Sequence, residues 1–267
     1  MATTSAPSSA SPSTDRPAAD SGTVNRTLRI LSAFAAKDRW ALNDLARALN
    51  LPRATAHRLL NLCKPLGYVE QDADGLYRPG IEYYRVAGRI GTDMPINRLA
   101  DPLLQAIRDE TDETTMLVLL ARQDLKMFFS HWASPAHPLR YALERNRLAS
   151  LAWGAAGRSL LAYLDPAEID TVIAREEASP LDGRPLDAAE LRAALETIRR
   201  DGHACSYAQR APDMHGLAVP FFDSDGQVRG NVMLTVPHFR FDPSRQDRWL
   251  ALLRDAATEL TRRLGWA

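Results

Sequence analysis

Residues 51–60 read LPRATAHRLL, and this stretch decides the fold of the amino-terminal region. At helical spacing, Arg53, His57 and Asn61 fall on one stripe, where each offers hydrogen-bonding groups. Small and apolar residues share the opposite stripe: Ala56, Leu59, Leu60 and Cys63. The stretch therefore predicts a short helix with one side buried and the other side available for polar recognition.

A second helical pattern, NDLARALN at 43–50, comes directly before this stretch. Asn43 is a candidate N-cap, and Asn50 stands where the chain must turn through a left-handed conformation, which Asn tolerates well. In a helix-turn-helix, small residues occupy the helix crossing and a tight turn separates the helices. Ala46 and Ala56 satisfy the first requirement, and Asn50 satisfies the second. The pattern predicts a helix-turn-helix.

Both flanks extend this motif into a small domain. Before it, Leu28, Leu31 and Phe34 recur at spacings of three, which predicts a further helix starting near Val24. After it, GYVEQDADGLYRPG at 67–80 has the alternation of two short strands around an Asp-Gly turn. Three helices followed by a hairpin predict a winged module.

Charge is distributed unevenly along the chain, although the formal net charge is zero. Residues 24–69 hold eight Lys and Arg against two Asp, a balance of plus six, and residues 70–267 carry about the opposite. A basic segment joined to a mildly acidic body is typical of a polyanion-binding module. A chance cluster of solvated arginines is the alternative.

The polar stripe has the chemistry of a DNA reader. Arginine forms bidentate hydrogen bonds with guanine, asparagine forms them with adenine, and threonine hydrogen-bonds to a backbone phosphate. We expect Arg53, His57 and Asn61 to read bases, and Thr55 and Arg58 to hold phosphates together with an arginine of the wing. The predicted DNA-binding set is Pro52, Arg53, Ala54, Thr55, His57, Arg58, Asn61 and Arg78. Two alternatives remain: a solvated face on an ordinary bundle helix, and an Arg58 that braces the wing.

The chain resembles the IclR-type bacterial transcription regulators in several stretches: VNRTLRILSAF, LNDLARALNLPRATAHRLLNLCKPLGYVE, LYRPGIEYYRVAGRI, GAAGRSLLAYL and GLAVPFFDSDGQVRGNVMLTVP. This resemblance implies a winged helix-turn-helix, a linker helix and a ligand-binding domain similar to GAF sensors. It also implies homodimers or homotetramers on a palindromic double-stranded operator. One departure is Pro65, where the family more often has helix formers, so the recognition helix should end or bend near Lys64.

The rest of the chain predicts an α+β domain, because its strands and its helices each come in runs. Strands are expected at 115–120, 125–132, 203–208, 216–222 and 228–236, and helices at 81–91, 96–110, 157–164, 166–177, 187–201 and 243–264. The predicted organisation is a disordered tail rich in Ser, Thr, Pro and Ala at 1–22, a winged helix-turn-helix domain at 23–80, a linker helix at 81–95 and a GAF-like effector-binding domain at 96–267.

Other classes of protein find little support. The chain has no G-x-S-x-G elbow, no P-loop and no H-E-x-x-H, so we expect neither an enzyme nor a cofactor. Cys63 and Cys205 fit neither a disulfide framework nor a metal site and are expected to pack. No apolar run is long enough to cross a bilayer, which predicts a cytoplasmic protein. A ligand-free architectural DNA binder and a small hydrolase or acyltransferase with a fused basic module are the alternatives.

The resemblance also implies where an effector binds, between the sheet and the start of the helix at 157. Matching residue by residue places these side chains or backbone groups along the pocket: Ala155, Ala156, Tyr207, Gly216, Met233 and Thr235. Further candidates form its walls: Met116, Phe129, His131 and Trp153. Backbone amides at Ala156 and Gly157, with His215 nearby, are candidates for holding a carboxylate.

Apolar residues predominate in this set, whereas relatives that bind very small polar acids have acidic, thiol or hydroxyl side chains at several of these positions. An apolar lining favours a larger and flatter molecule, held by buried area and a few polar anchors. We therefore expect an aromatic or other small organic acid from a catabolic pathway, ahead of a two- or three-carbon oxoacid. Met233 and Tyr207 as plain core residues are the alternative.

Overall fold

The computed structural model describes residues 22–91, 94–136, 144–175 and 177–265. The predicted tail at 1–22 therefore lies outside the described residues, apart from Gly22. The chain divides into two compact units, Met1–Gly88 and Arg89–Ala267. No helix in the described part of the chain has the length and apolar character needed to cross a bilayer.

The first unit is a winged helix-turn-helix. Its elements in chain order are α1 (Thr23–Ala33), α2 (Leu42–Ala48), α3 (Arg53–Cys63), β1 (Val69–Gln71), β2 (Tyr77–Pro79) and α4 (Ile81–Gly91), which continues into the second unit. Strands β1 and β2 pair as an antiparallel hairpin. The predicted left-handed turn between α2 and α3 is confirmed, since Asn50 has φ 51°. The predicted cap is wrong, because α2 begins at Leu42 after Ala41 and Asn43 lies inside the first turn.

Helix α3 ends where its sequence predicts. Its last residue is Cys63 and Lys64 caps it, directly before Pro65. The core beneath the helix is built from apolar side chains of α1, α2, α3 and the hairpin: Ile30, Phe34, Leu45, Leu59, Leu60, Cys63, Val69 and Tyr77. The apolar stripe of α3 therefore faces inward, as its spacing predicts.

The second unit is an α+β domain built on one antiparallel sheet. Its elements are α5 (Pro95–Thr111), β3 (Thr114–Ala121), β4 (Lys126–Ala133), β5 (Ala149–Ser150), α6 (Gly154–Leu161), α7 (Pro166–Ala174), α8 (Ala188–Asp201), β6 (Ala204–Tyr207), β7 (Met214–Phe222), β8 (Val228–Pro237) and α9 (Gln246–Leu264). The strand order is β5-β4-β3-β8-β7-β6. One core lies between the sheet and α6 to α8, and the other lies between the sheet and the pair α5 and α9.

The start of α6 differs from the sequence prediction by three residues. The helix begins at Gly154 rather than at 157, and Gly154 adopts a φ of 78° that favours glycine. Gly157 lies in the first turn against the backbone of Leu151, where a Cβ would be 2.6 Å from the carbonyl oxygen. Gly157 therefore permits close backbone approach, Gly154 supplies the positive φ, and residues 154–156 belong to the helix.

Candidate DNA-binding face and effector cavity

The polar stripe of α3 is exposed in the structure. Side chains on this face include Arg53, His57, Arg58 and Asn61, while Thr55 is half-buried. The amide nitrogen of Asn61 lies 3.3 Å from Nε2 of His57, so these two side chains present their polar atoms together. The face combines a guanidinium, an imidazole and an amide on successive turns.

The wing lies beside this face and is held to the end of α3. Lys64 Nζ donates a hydrogen bond to Oε1 of Gln71 at 2.6 Å, and Gln71 Nε2 donates to the carbonyl oxygen of Gly75 at 3.0 Å. An open groove separates α3 from the wing, and its walls include Arg53, His57, Gln71 and Gly75. The polar stripe and the wing therefore border the same groove.

The two arginines predicted to hold phosphates have different surroundings. Arg78 on β2 pairs with Glu70 on β1, with 3.0 Å between Nη2 and Oε2, so its charge is shared with a neighbouring carboxylate. Arg58 is exposed and makes no hydrogen bond or ion pair with any residue of the described ranges. The alternative that Arg58 braces the wing therefore finds no contact in the described part of the chain.

A cavity in the second unit lies between the sheet, the start of α6 and the connection from β6 to β7. Its lining residues are Met116, Phe129, Gly154, Ala155, Ser206, Gln209, Arg210, Ala211, Met214, His215, Gly216, Met233 and Thr235. Seven of these were predicted: Met116, Phe129, Ala155, His215, Gly216, Met233 and Thr235. The cavity is small: about 40 Å³ of it is accessible to the centre of a water molecule.

His131 does not line this cavity, although it stands two residues after Phe129. In a regular strand the two side chains would share a face. A register shift places Val118 opposite Phe129 and Leu117 opposite His131, so an extra residue sits between the two pairs. His131 therefore lies on the α5 side of the sheet, where its Nε2 donates to Oδ1 of Asp101 at 2.6 Å.

Four more predicted residues lie outside the cavity for other reasons. Trp153 is buried in the core, and its indole N–H donates to the carbonyl oxygen of Glu177 at 2.8 Å. Ala156 and Gly157 are buried in the first turn of α6 and do not border the cavity. Tyr207 is 46% exposed and its hydroxyl donates to Asp213, so it lies at the surface.

Sequence reasoning missed the connection at 208–213, which forms one wall of the cavity. It contributes Gln209, Arg210 and Ala211. The connection is bounded by Ala208 and Asp213, both with positive φ, at 46° and 52°. The sequence did offer a signal: Arg210 lies in a short connection between two predicted strands that flank the predicted pocket.

Side chains already occupy the first amides of α6. The N–H of Gly154 donates to Oε1 of Gln209 at 2.9 Å, and the N–H of Ala155 donates to Oγ of Ser206 at the same distance. Arg210 Nη1 lies 3.4 Å from the carbonyl oxygen of Ser150 and 3.5 Å from that of Trp153. The polar groups beside the start of α6 are therefore a guanidinium, an amide and a hydroxyl. Thr235 adds a second hydroxyl to the lining, and this hydroxyl lies 3.9 Å from the sulfur of Met116.

The imidazole of His215 is engaged on the other face of the sheet. It stacks on Phe241 with 3.7 Å between ring centroids, and its Nε2 lies 3.0 Å from Nδ1 of His238. Burial and the neighbouring His238 lower the pKa of His215. An imidazole that faces away and whose charged form is disfavoured is a poor anchor for a carboxylate, and Arg210, which lines the cavity, is better placed.

The described residues bring together no cluster of three or more His, Cys, Asp or Glu suited to a metal ion. The two cysteines are free thiols far apart in the chain, and desolvation raises the pKa of Cys205 to about 11. Cys63 is buried in the core of the first unit, which agrees with its predicted packing role, whereas Cys205 is exposed, so the prediction that both cysteines pack is wrong for Cys205.

Comparison with known proteins agrees with this architecture. The family model for the IclR helix-turn-helix domain matches residues 23–73, and the model for the IclR carboxy-terminal domain of bacterial transcriptional regulators matches residues 89–262. The HTH-type transcriptional regulator KipR of Bacillus subtilis is 22% identical over 245 residues, covering 91% of this chain and 97% of its own.

Two solved structures share the fold over most of the chain. An IclR transcriptional regulator from Silicibacter sp. TM1040 is 29% identical with a TM-score of 0.80, covering 91% of this chain and 96% of its own. An IclR homologue from Microbacterium hydrocarbonoxydans, solved with 4-hydroxybenzoate, is 22% identical with a TM-score of 0.67, covering 91% and 99%. With both domain models matched in order along one chain, this protein belongs to the IclR family of DNA-binding transcriptional regulators.

Proposed function

We propose that this regulator controls a catabolic operon and that a small organic acid, preferably an aromatic one, sets its affinity for DNA. The proposal has two parts: α3 reads a palindromic operator as part of a homodimer or homotetramer, and the cavity of the second unit binds the acid. It describes a cytoplasmic binding protein that needs no cofactor and catalyses no reaction.

The composition of the cavity is the observation that carries this proposal. Its larger apolar side chains are three methionines and a phenylalanine (Met116, Met214, Met233 and Phe129), and Arg210 stands at one end. An apolar space favours a ligand by the area it buries, and a guanidinium fixes a carboxylate by charge and geometry. A molecule with a flat apolar body and one carboxylate matches both features.

Entry of an aromatic ring requires side chains to move, because the cavity has room for only a few water molecules. Two flexible side chains fill the space next to glycines. Met233 Cε lies 2.8 Å from where a Cβ of Gly216 would be, and Arg210 Cδ lies 2.7 Å from the corresponding position at Gly154. Methionine has three rotatable bonds and repacks easily, so Met233 can move aside at a small cost in free energy.

The neighbour from Microbacterium hydrocarbonoxydans supports the ligand class, since a protein of this fold holds 4-hydroxybenzoate. The small volume of the cavity favours the second candidate, a two- or three-carbon oxoacid. A ligand screen separates the two candidates because they differ in apolar surface rather than in charge.

The experiment is a thermal-shift screen of benzoates, hydroxybenzoates and phenylacetates beside glyoxylate and pyruvate. We expect aromatic acids to raise the melting temperature, with the gain lost in Arg210→Ala and in Met233→Asp. Tyr207→Phe is the matched control, because that hydroxyl lies outside the cavity. Stabilisation by the oxoacids alone, or an aromatic hit that survives both cavity substitutions, would refute this assignment.

A further inference from the structure

The wing carries the opposite charge from the segment that precedes it. Residues 24–69 have a balance of plus six, whereas the hairpin at 69–79 contains three acids and one arginine. Phosphate-binding surfaces are basic, so an acidic wing is poorly suited to resting on the DNA backbone. The structure shows which of the three carboxylates remains unneutralised.

Two of the acids have partners within the first unit. Glu70 pairs with Arg78 at 3.0 Å. Asp72 lies 3.8 Å from Arg39 and accepts hydrogen bonds from the backbone N–H groups of Asp74 and Leu76, which shapes the turn. These two carboxylates therefore have structural roles.

Asp74 differs from both. It is exposed at the tip of the wing, and its carboxylate makes no ion pair or hydrogen bond with any residue within 22–91, 94–136, 144–175 or 177–265. Its neighbour Gly75 lines the groove that also contains Arg53 and His57. Gln71 ties Gly75 to Lys64, so the tip is held beside the polar stripe of α3.

When α3 lies in the major groove of a duplex, the wing beside it faces the sugar–phosphate backbone and then the adjacent minor groove. In the minor groove, A·T and T·A pairs show only acceptors, whereas a G·C pair adds the donor N2 amino group of guanine. Tracts of A·T pairs also have a narrow minor groove with enhanced negative potential. An ionised carboxylate only accepts hydrogen bonds, so it is compatible with G·C and is repelled by A·T.

We propose that Asp74 is a specificity-determining residue that selects a G·C pair beside the bases read by α3 and rejects A·T pairs there. The inference rests on the proposed role of α3 as the face that enters the major groove. It assigns the wing a part in sequence choice rather than in phosphate binding.

The test is selection of binding sites by the full chain from a library of random-sequence duplexes. The wild type should enrich a flanking G·C pair over A·T by about fivefold, the value of one hydrogen bond. Asp74→Ala should lose this flanking preference and keep the enriched bases of the half-site core. Asp74→Lys should reverse it, because cations favour the narrow minor groove of A·T tracts. Glu196→Ala, an exposed acid of the second unit, is the control and should match the wild type.

An unchanged flanking preference in Asp74→Ala would overturn the inference, and so would a wild type whose core bases are enriched while its flanks are random. Both results would leave the role of α3 intact. A wild type that enriches no sequence at all would instead remove the proposed DNA-reading face, and this inference with it. Equal melting temperatures of the wild type and the variants would show that the exposed substitutions leave the fold unchanged.

Discussion

At the scale of single residues, Arg53 is the side chain on which the predicted reading of DNA depends most. It is exposed at the start of α3 and lines the groove beside the wing. Replacement by Ala should weaken operator binding by about 1–3 kcal/mol and relax the preference at one base pair, because a bidentate contact to guanine is lost. Titration against the operator and its single-base variants measures both effects. A uniform loss on every sequence would instead assign Arg53 to a phosphate.

His215 gives a prediction for pH. Burial and the neighbouring His238 lower its pKa in the folded state, so the unfolded chain binds a proton more readily. Stability contributed by the neutral imidazole is present above the unfolded pKa of about 6.5 and is lost as the pH falls toward the lower folded value.

The measurement is the denaturation midpoint of the second unit at pH 7.5 and pH 5.5. The wild type should lose stability on acidification, and His215→Gln should lose less. His203→Gln, in the same unit, is the matched control and should follow the wild type. An equal acid-induced loss in wild type and His215→Gln would show that this histidine is not linked to folding.

Single residues also show where sequence reasoning fails. Phe129 and His131 are two residues apart in one strand, so strand alternation predicts that their side chains share a face of the sheet. The register shift between Leu117 and Val118, their partners on β3, places the two side chains on opposite faces. A bulge depends on pairing with a distant strand, so no local pattern at 125–132 reveals it. Arg210, by contrast, was visible as a charged residue in a short connection and was missed.

At the scale of elements, local signals predicted the helix-turn-helix well. Asn50, Pro65 and the turn at Asp74-Gly75 each depend on backbone geometry that these residue types favour by themselves. The start of α2 was predicted wrongly because it is set from a distance. Trp40 and Tyr77 exchange two backbone hydrogen bonds, of 2.9 and 2.8 Å, which fix the chain just before Leu42.

Helix α6 supplies a test of packing. A Cβ at Gly157 would lie 2.6 Å from the carbonyl oxygen of Leu151, so Gly157→Ala forces backbone to move. We expect it to destabilise the second unit by about 1–3 kcal/mol, the usual cost of overpacking.

Gly88→Ala in α4 is the control, because no described atom beyond its chain neighbours and its own helix backbone lies within 4 Å of an added Cβ. It should be neutral or slightly stabilising, since alanine favours helix over glycine. Chemical denaturation followed by circular dichroism compares the two. A Gly157→Ala protein as stable as the wild type would mean that α6 is free to shift away from Leu151.

At the scale of the whole molecule, the sequence predicted two domains and the class of each, but not the complete cavity. Met116, Gly216 and Met233 come from three different strands, and only the family resemblance brought them together in advance. The connection at 208–213 completes the site by contacting the start of α6 through Gln209 and Arg210, and tertiary packing decides these contacts.

Assembly is predicted from the surface of the first unit. Large apolar side chains are exposed on α1 and α4: Val24, Leu28, Ile81 and Tyr84. Tyr83 OH donates to the carbonyl oxygen of Leu31, so these two helices are neighbours. Exposed apolar side chains on adjacent helices indicate an association surface, and a symmetric dimer would read two half-sites spaced by a helical turn or a multiple of it.

Leu28→Asp should therefore lower the mass in solution toward that of a monomer and abolish a two-fold footprint on DNA. Leu148→Asp, at an exposed apolar position of the second unit, should change neither. Light scattering gives the mass, and footprinting gives the symmetry. A monomeric wild type that protects a site without two-fold symmetry would contradict the predicted assembly.

Coupling between the two units is the central claim, because a ligand shifts DNA affinity only if it binds one conformation better than another. The most direct measurement is the dissociation constant for the selected operator, with and without an acid that raises the melting temperature. We predict a change of about 5- to 150-fold, the usual range of allosteric coupling, and its loss in Arg210→Ala with DNA affinity otherwise retained. An acid that binds the protein in the thermal screen and leaves the operator dissociation constant unchanged would contradict the claim.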